Sequence, residues 1–132
     1  MKHIKRKIWI IDDDPLIGNI MVDHLRGFLN YEPYYFKDAR AAFKMLKKIK
    51  PDAILLDWVM PEHDGMDTIA FLKKKPDTAN IPVFMLTGRS SGAAFEIACT
   101  KGITGYFTKP VDYFKVTRSL HHFFGKEAPK TL

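Results

Sequence analysis

Four continuous apolar runs constrain the fold of this chain more than any other feature. They lie at residues 8–11, 53–56, 83–86 and 106–107, and a weaker aromatic run covers residues 34–36. Their apolar residues are consecutive rather than alternating, which is typical of strands buried on both faces. The sequence therefore predicts five short strands in a sheet that helices cover on both sides.

Helical periodicities fill the gaps between these runs. Aspartate is a favoured N-cap and proline suits the first helical turn, so Asp14 and Pro15 mark a clear helix start. The five predicted helices begin near Asp14, Asp38, Gly65, Ser90 and Asp112. The stripes predicted to face inward contain Ile17, Ile20, Met21, Leu25 and Phe28 in the first helix, and Phe114, Thr117, Leu120, Phe123 and Phe124 in the last.

This alternation predicts an α/β fold. We expect a (βα)5, doubly wound, parallel five-stranded sheet with strand order 2-1-3-4-5. One domain is expected over residues 1–125, and residues 126–132 are expected to be a tail or the start of a linker. Ligand sites of such sheets lie at the carboxyl ends of the strands, so the residues directly after each apolar run are the candidates.

Polar residues with complementary chemistry follow those runs. Asp12 and Asp13 follow the first run, Asp57 the third, Thr87 the fourth and Lys109 the fifth. Three carboxylates brought together repel one another, and a hard oxygen-seeking cation such as Mg²⁺ would relieve that repulsion. An ammonium and a hydroxyl beside such a cation suit the binding of an anion. The set fits phosphoryl transfer to an aspartate.

Five motifs lie in order along nearly the whole chain, at Ile10–Pro15, Leu55–Pro61, Asp64–Gly65, Leu86–Gly88 and Gly105–Pro110. Together they resemble the receiver domain of bacterial two-component response regulators. The resemblance implies a flavodoxin-like fold for the predicted sheet. It also implies a phosphoprotein of signal transduction rather than an enzyme, since receivers catalyse only their own phosphorylation and dephosphorylation.

The resemblance implies a role for each matching site residue. Asp57 is expected to accept a phosphoryl group from a phosphohistidine on a sensor histidine kinase or a histidine phosphotransfer protein. Asp13, Asp57 and the Val59 carbonyl are expected to bind Mg²⁺ directly, and Asp12 mainly through water. Thr87 would hydrogen-bond a phosphoryl oxygen, and Lys109 would pair with its charge.

The resemblance also implies a conformational switch. Thr87 and the aromatic Tyr106 would move on phosphorylation and reshape the surface of the fourth helix, fifth strand and fifth helix, which would control an unknown protein effector. The bond between Lys109 and Pro110 matches the cis peptide of the family. Val59 and Arg89 occupy the positions that tune phosphoryl lifetime, and valine cannot orient a hydrolytic water, so we predict slow self-dephosphorylation.

Two other functions remain as alternatives. An aspartyl-phosphate phosphatase of the haloacid-dehalogenase type carries a second acid two residues after its nucleophile, where this chain has Val59. A phosphorylation-independent binding module is the other alternative. Regulators with a winged-helix DNA-binding domain usually carry paired acids where this chain has Thr104 and Gly105, so a nucleic-acid partner is not expected. A stand-alone receiver and a piece of a longer regulator both fit.

The charge pattern is the remaining feature to explain. The chain carries 21 Lys and Arg against 15 Asp and Glu, a net charge of +6, and its basic residues concentrate at strand starts and helix ends. These cations either complement helix C-termini or form a docking edge for an acidic partner or an anionic membrane. One cysteine and no apolar run near the roughly 18 residues of a membrane span predict a cytoplasmic protein without a transmembrane segment.

Trp58 follows Asp57 directly, and its side chain is expected at the rim of the site.

Overall fold

The computed structural model describes residues 5–58, 65–88, 97, 100 and 102–125. Within them, five parallel strands form one sheet in the order β2-β1-β3-β4-β5. The strands are β1 (Arg6–Ile11), β2 (Tyr31–Phe36), β3 (Ala53–Asp57), β4 (Val83–Thr87) and β5 (Gly105–Thr108). The helices are α1 (Pro15–Arg26), α2 (Ala39–Met45), α3 (Gly65–Lys73), α4 (Pro76–Ala79) and α5 (Tyr113–Gly125). The predicted fold and strand order are confirmed.

The central strands are buried on both faces because successive side chains of a strand point to opposite sides. In β1, Ile8 and Ile10 pack on one side with Met21, Leu25, Val116 and Leu120, the α1/α5-side core. Trp9 and Ile11 pack on the other side with Ile54, Leu56, Ile69, Leu72 and Met85, the α2/α3-side core. Burial of each large apolar side chain stabilises the fold by roughly 1.5–3 kcal/mol.

The predicted aspartate caps start the helices on the side of the sheet where the strands end. Asp14 Oδ1 accepts a hydrogen bond from the Leu16 N–H at 2.9 Å, and Asp38 Oδ1 accepts one from the Ala41 N–H at 2.8 Å. A cap of this kind contributes about 1 kcal/mol. The outer strand β2 pairs only with β1, and its register sets Pro33 opposite Ile8.

Three expectations about individual side chains are wrong. Ile20 and Phe114 are 40% and 70% exposed, because Met21 and Leu25, and likewise Val116 and Leu120, fill the space under their helices. Trp58 is only 6% exposed rather than at a rim. Its backbone N–H donates to the Leu86 carbonyl at 2.8 Å, so the chain continues alongside β4 after β3 ends. The indole lies in the α2/α3-side core.

Two helical segments complete the comparison with the sequence. The one-turn helix α4 was not expected from the sequence pattern. The predicted helix over residues 90–101 lies almost entirely outside the described residues, of which Ile97 and Thr100 are helical. Among the residues that the structure describes, no helix is both long and apolar enough to cross a membrane.

Candidate functional site

The register of the sheet brings the polar strand ends to one edge. Ile11 lies opposite Leu56, Asp57 opposite Leu86 and Thr87 opposite Thr108, so each following residue emerges at the same level. The backbone continues this alignment past β5, where the Lys109 N–H donates to the Thr87 carbonyl at 2.7 Å. Consecutive apolar strands in a parallel sheet therefore fix the position of the polar cluster.

Three carboxylates meet at this edge. One oxygen from each of Asp12, Asp13 and Asp57 lies within 4.8 Å of the others, which suits a shared cation. Asp12 is fully buried and Asp57 is 5% exposed, whereas Asp13 is exposed. The cluster is therefore open to solvent on the side where Asp13 lies.

Asp12 has two unlike carboxylate oxygens. Its Oδ1 accepts a hydrogen bond from the Asp14 N–H at 2.8 Å. Its Oδ2 is buried and receives no hydrogen bond of good geometry from the described residues, but lies 3.1 Å from Lys109 Nζ. A buried carboxylate oxygen compensated by a charge contact alone is chemically suited to a hard cation or to a water that such a cation holds.

Lys109 bridges the buried carboxylates. Its Nζ donates to Asp57 Oδ1 at 3.2 Å and lies near Asp12 Oδ2 on the other side. The peptide bond between Lys109 and Pro110 is cis, as the resemblance implied. The ammonium is therefore held beside Asp57, where it can contact any anionic group attached to that carboxylate.

Burial dominates the electrostatics of the site. It raises the pKa of Asp57, the charge of Asp12 raises it further, and Lys109 only partly opposes them, so the pKa lies at about 7. Burial lowers the pKa of Lys109, but the charges of Asp12 and Asp57 outweigh burial and the net shift is upward. Asp57 is thus the group whose ionisation a bound cation would restore.

Thr87 and Tyr106 lie on neighbouring strands. Thr87 is buried at the end of β4, and Tyr106 is half-buried in β5 against the α2/α3-side core. The strand register places Thr87 at the site edge and Tyr106 about two residues nearer the start of the strands. The remaining predicted site residues, Val59 and Arg89, lie outside the described residues.

Tyr35 is a neighbour of the site that the sequence reasoning missed. Its hydroxyl donates to the Asp12 carbonyl at 2.8 Å, and its ring passes so close to α1 that a Cβ at Gly18 would lie 2.2 Å from it. Burial first, and then the charges of Asp12, Asp13 and Asp14, raise the pKa of Tyr35. Two sequence features could have indicated this contact: the aromatic run at residues 34–36, and Gly18 within the first predicted helix.

Gly65 allows α3 to begin directly beside the phosphoacceptor candidate. A Cβ there would lie 2.4 Å from the Met85 methyl group and 3.0 Å from the Asp57 carbonyl oxygen. The Gly65 N–H donates to the Trp58 carbonyl at 2.6 Å. A larger residue would push α3 away from the strand that carries Asp57.

Comparisons with known proteins agree with this geometry. The family model described as "Response regulator receiver domain" matches residues 8–121. The phosphate regulon transcriptional regulatory protein PhoB of Escherichia coli is 33% identical over 105 residues, which are 80% of this chain and 45% of PhoB. The chain thus spans less than half the length of this curated relative.

Solved structures give the same fold. The signal receiver domain of a signal transduction histidine kinase from Syntrophus aciditrophicus has a TM-score of 0.81 at 26% identity, covering 96% of this chain and 97% of that one. The receiver domain of a sensor histidine kinase from Pseudomonas aeruginosa PAO1, described with magnesium in its active site cleft, has a TM-score of 0.80 at 23% identity and covers 92% and 99%. With its sheet order, its acidic edge and a family model that matches most of its length, the chain belongs to the response regulator receiver domains of two-component signalling.

Proposed function

We propose that Asp57 accepts a phosphoryl group from the phosphohistidine of a sensor histidine kinase or a histidine phosphotransfer protein, and that the phosphorylated domain controls a protein effector. The observation that carries the proposal is the contact of Lys109 Nζ with Asp57 Oδ1 at 3.2 Å inside a three-carboxylate cluster. A nucleophilic carboxylate, a cation-binding set and an ammonium beside the reacting oxygen are the parts that phosphoryl transfer needs.

Mg²⁺ is the cofactor that the donor set fits best. Asp13, Asp57 and the Val59 carbonyl would hold it directly, and Asp12 through water; bound there, it would neutralise the carboxylates and the phosphoryl oxygens. The clustered oxygens and the weakly compensated Asp12 Oδ2 support this assignment. The magnesium described for the Pseudomonas receiver domain is consistent with it.

The protein groups have distinct tasks in the transfer. A carboxylate oxygen of Asp57 attacks the phosphorus, the phosphorus–nitrogen bond of phosphohistidine breaks, and its electron pair leaves with the imidazole. After the transfer, the negative charge lies on the phosphoryl oxygens rather than on the Asp57 carboxylate. The Lys109 ammonium therefore shifts from the carboxylate to a phosphoryl oxygen. The buried Thr87 hydroxyl donates to another phosphoryl oxygen, and burial keeps both interactions strong.

The output surface is proposed to lie around β5 and α5. A groove of about 570 Å³ lies between these elements, and Tyr106, Phe107, Lys115 and Phe123 are among the residues that line it. Movement of Thr87 toward the phosphoryl group would change the space beside Tyr106 and bias this surface between two states. The name of PhoB describes a transcriptional regulator. In this chain Thr104 and Gly105 stand where regulators with a winged-helix domain usually carry paired acids, which argues against that output here.

The cellular location of the protein and the lifetime of its phosphorylated state are both predictions. A histidine kinase or phosphotransfer partner and a single cysteine fit the cytoplasm. Valine at position 59 offers no group to orient water, so the aspartyl phosphate should decay slowly. Val59→Asn should accelerate the decay measured by loss of radiolabel; an unchanged rate contradicts this assignment.

The test of the phosphoacceptor itself uses Asp57→Asn. Intact-mass spectrometry after incubation with Mg²⁺ and a small phosphodonor should detect one added phosphoryl group in the wild type and none in the variant. Trp58, buried directly after Asp57, provides a second readout through its fluorescence. Asp13→Asn is the companion variant, in which phosphorylation should require far more Mg²⁺. Equal phosphorylation of wild type and Asp57→Asn would overturn the proposal.

A further inference from the structure

A groove separates α2 and α3 on the outer surface of the α2/α3-side core. We call it the α2–α3 groove; it encloses about 710 Å³, within the usual range of roughly 300–1,000 Å³ for binding pockets. Its walls are helical, so their backbone N–H and C=O groups are already paired. The residues that matter for recognition are Arg40, Phe43, Lys44, Lys47, Phe71 and Lys74.

Two aromatic rings form the apolar part of the groove. Phe43 of α2 and Phe71 of α3 stack with ring centroids 4.2 Å apart and an interplanar angle of 22°. Both rings are only half-buried, and the small neighbours Ala39 and Ala70 leave space beside them. An apolar side chain entering this space would contact aromatic surface that water now covers.

Cations surround this apolar floor. Arg40, Lys44 and Lys47 line the groove from the α2 side and Lys74 from the α3 side, against one carboxylate, Asp67, among its lining residues. Within the described part of the chain, no ion pair involves Lys44, Lys47 or Lys74. The groove therefore presents a net positive rim around an apolar centre.

Helix dipoles explain only part of this arrangement, although Lys44, Lys47 and Lys74 all lie at or just after the C-terminal ends of α2 and α3. Lys44 lies in the last turn of α2, where a cation stabilises the helix, but Arg40 lies in its first turn, where a cation is unfavourable. The first turn of α2 contains no acidic residue. A positive rim around an apolar groove favours the second explanation for the basic residues, recognition of an acidic partner.

We propose that the α2–α3 groove binds an acidic amphipathic helix of a partner protein. Two apolar side chains one helical turn apart would pack on Phe43 and Phe71, and carboxylates beside them would face Arg40, Lys44, Lys47 and Lys74. A helix suits the groove because it satisfies its own backbone groups, which these helical walls cannot pair. A membrane suits it poorly, since the rings lie in a concave groove rather than protruding.

The experiment uses a fluorescein-labelled, helix-favouring synthetic peptide of about 15 residues, long enough to form a helix. The peptide carries Leu and Phe four positions apart with Glu on the flanks, and its binding is measured by fluorescence anisotropy on the Asp57→Asn protein without phosphodonor. We expect binding that weakens as salt rises. The triple variant Lys44→Glu, Lys47→Glu, Lys74→Glu should lose about tenfold in affinity or more.

A matched triple variant separates the groove from the general charge of the protein. Lys5→Glu, Lys48→Glu and Lys50→Glu change the net charge by the same amount at exposed positions outside the groove, and should change affinity by less than about twofold. Circular dichroism checks that both triple variants fold. Equal loss in both, or no binding of the peptide to the parent protein, overturns the proposal.

Two control probes test the kind of partner. A peptide with Ser in place of Leu and Phe should bind at least about tenfold more weakly if the aromatic floor takes part. Vesicles of phosphatidylcholine and phosphatidylglycerol should not compete with the acidic peptide. Equal binding of the Ser peptide, or binding to vesicles in place of the peptide, refutes the proposal. Because no phosphoryl transfer is measured, either result leaves the proposed phosphoacceptor function untouched.

Discussion

The two edges of the sheet carry opposite charges, but they differ more in burial than in sign. At the carboxyl ends of the strands, Asp12 and Asp57 are withdrawn from water around Lys109. At the opposite edge, Lys5, Lys48 and Lys50 are exposed. Burial changes the ionisation of a group, whereas an exposed cation keeps its water and contributes little to stability. Charge alone would not reveal which edge holds the candidate site.

The largest expected effect is the pH dependence of stability in the absence of divalent ions. Because the pKa of Asp57 is raised from 3.8 to about 7 by folding, the native state binds a proton more tightly than the unfolded state between those values. The free energy of unfolding should therefore fall as pH rises through this window, by a few kcal/mol at most. Urea denaturation at several pH values in EDTA measures it.

Asp57→Asn and added Mg²⁺ sharpen that prediction. The variant should lose most of this pH dependence, and Mg²⁺ should restore stability to the wild type at neutral pH because it binds only the folded site. A variant at the other edge, Lys50→Gln, should keep the wild-type profile. A wild-type profile that rises toward neutral pH in EDTA would contradict the assignment of burial as the main cause.

A smaller effect is expected from Tyr35→Phe, which removes only the hydroxyl that donates to the Asp12 carbonyl. The variant should lose about 1 kcal/mol of stability, and its Mg²⁺ affinity should fall a few-fold because Asp12 is less firmly held. Isothermal titration with Mg²⁺ measures the second effect. Tyr34→Phe is the matched control, since the Tyr34 hydroxyl contacts Glu32 away from the site; equal loss in both variants would assign Tyr35 a general structural role.

The smallest effect is expected at the basic edge. Lys48→Gln and Lys50→Gln should each change the free energy of unfolding by less than about 0.5 kcal/mol at any salt concentration, since both side chains are exposed. Thermal denaturation at low and high salt checks this. A loss above about 1 kcal/mol would mean that the opposite edge is as strongly coupled to the fold as the site, and the comparison would fail.

Much of the fold was predictable because it depends on local pattern. The consecutive apolar residues of β1, β3 and β4 fixed their burial on both faces, and Asp14 and Asp38 cap helices as expected. Residues at the carboxyl ends of those strands, Asp12 and Asp57 among them, necessarily meet at one edge of a parallel sheet. These inferences need only the periodicity and the direction of the chain.

What the sequence could not predict depends on packing between distant segments. Helical spacing alone placed Ile20 and Phe114 inward, but the exposed fraction of each depends on which neighbours already fill the core. The contact of Tyr35 with Asp12 and Gly18, and the stacking of Phe43 on Phe71, join residues from different elements. The role of each candidate site residue remains a prediction until phosphorylation and Mg²⁺ binding are measured.

The proline in the outer strand has a consequence for how the molecule behaves in a crowded solution. An unpaired strand edge can template the backbone of another chain and start an aggregate. Pro33 removes one N–H from β2 and Glu32 adds a negative charge beside it, both common protections of an edge strand. The β2 side of the sheet is therefore poorly suited to grow by adding a strand from another molecule.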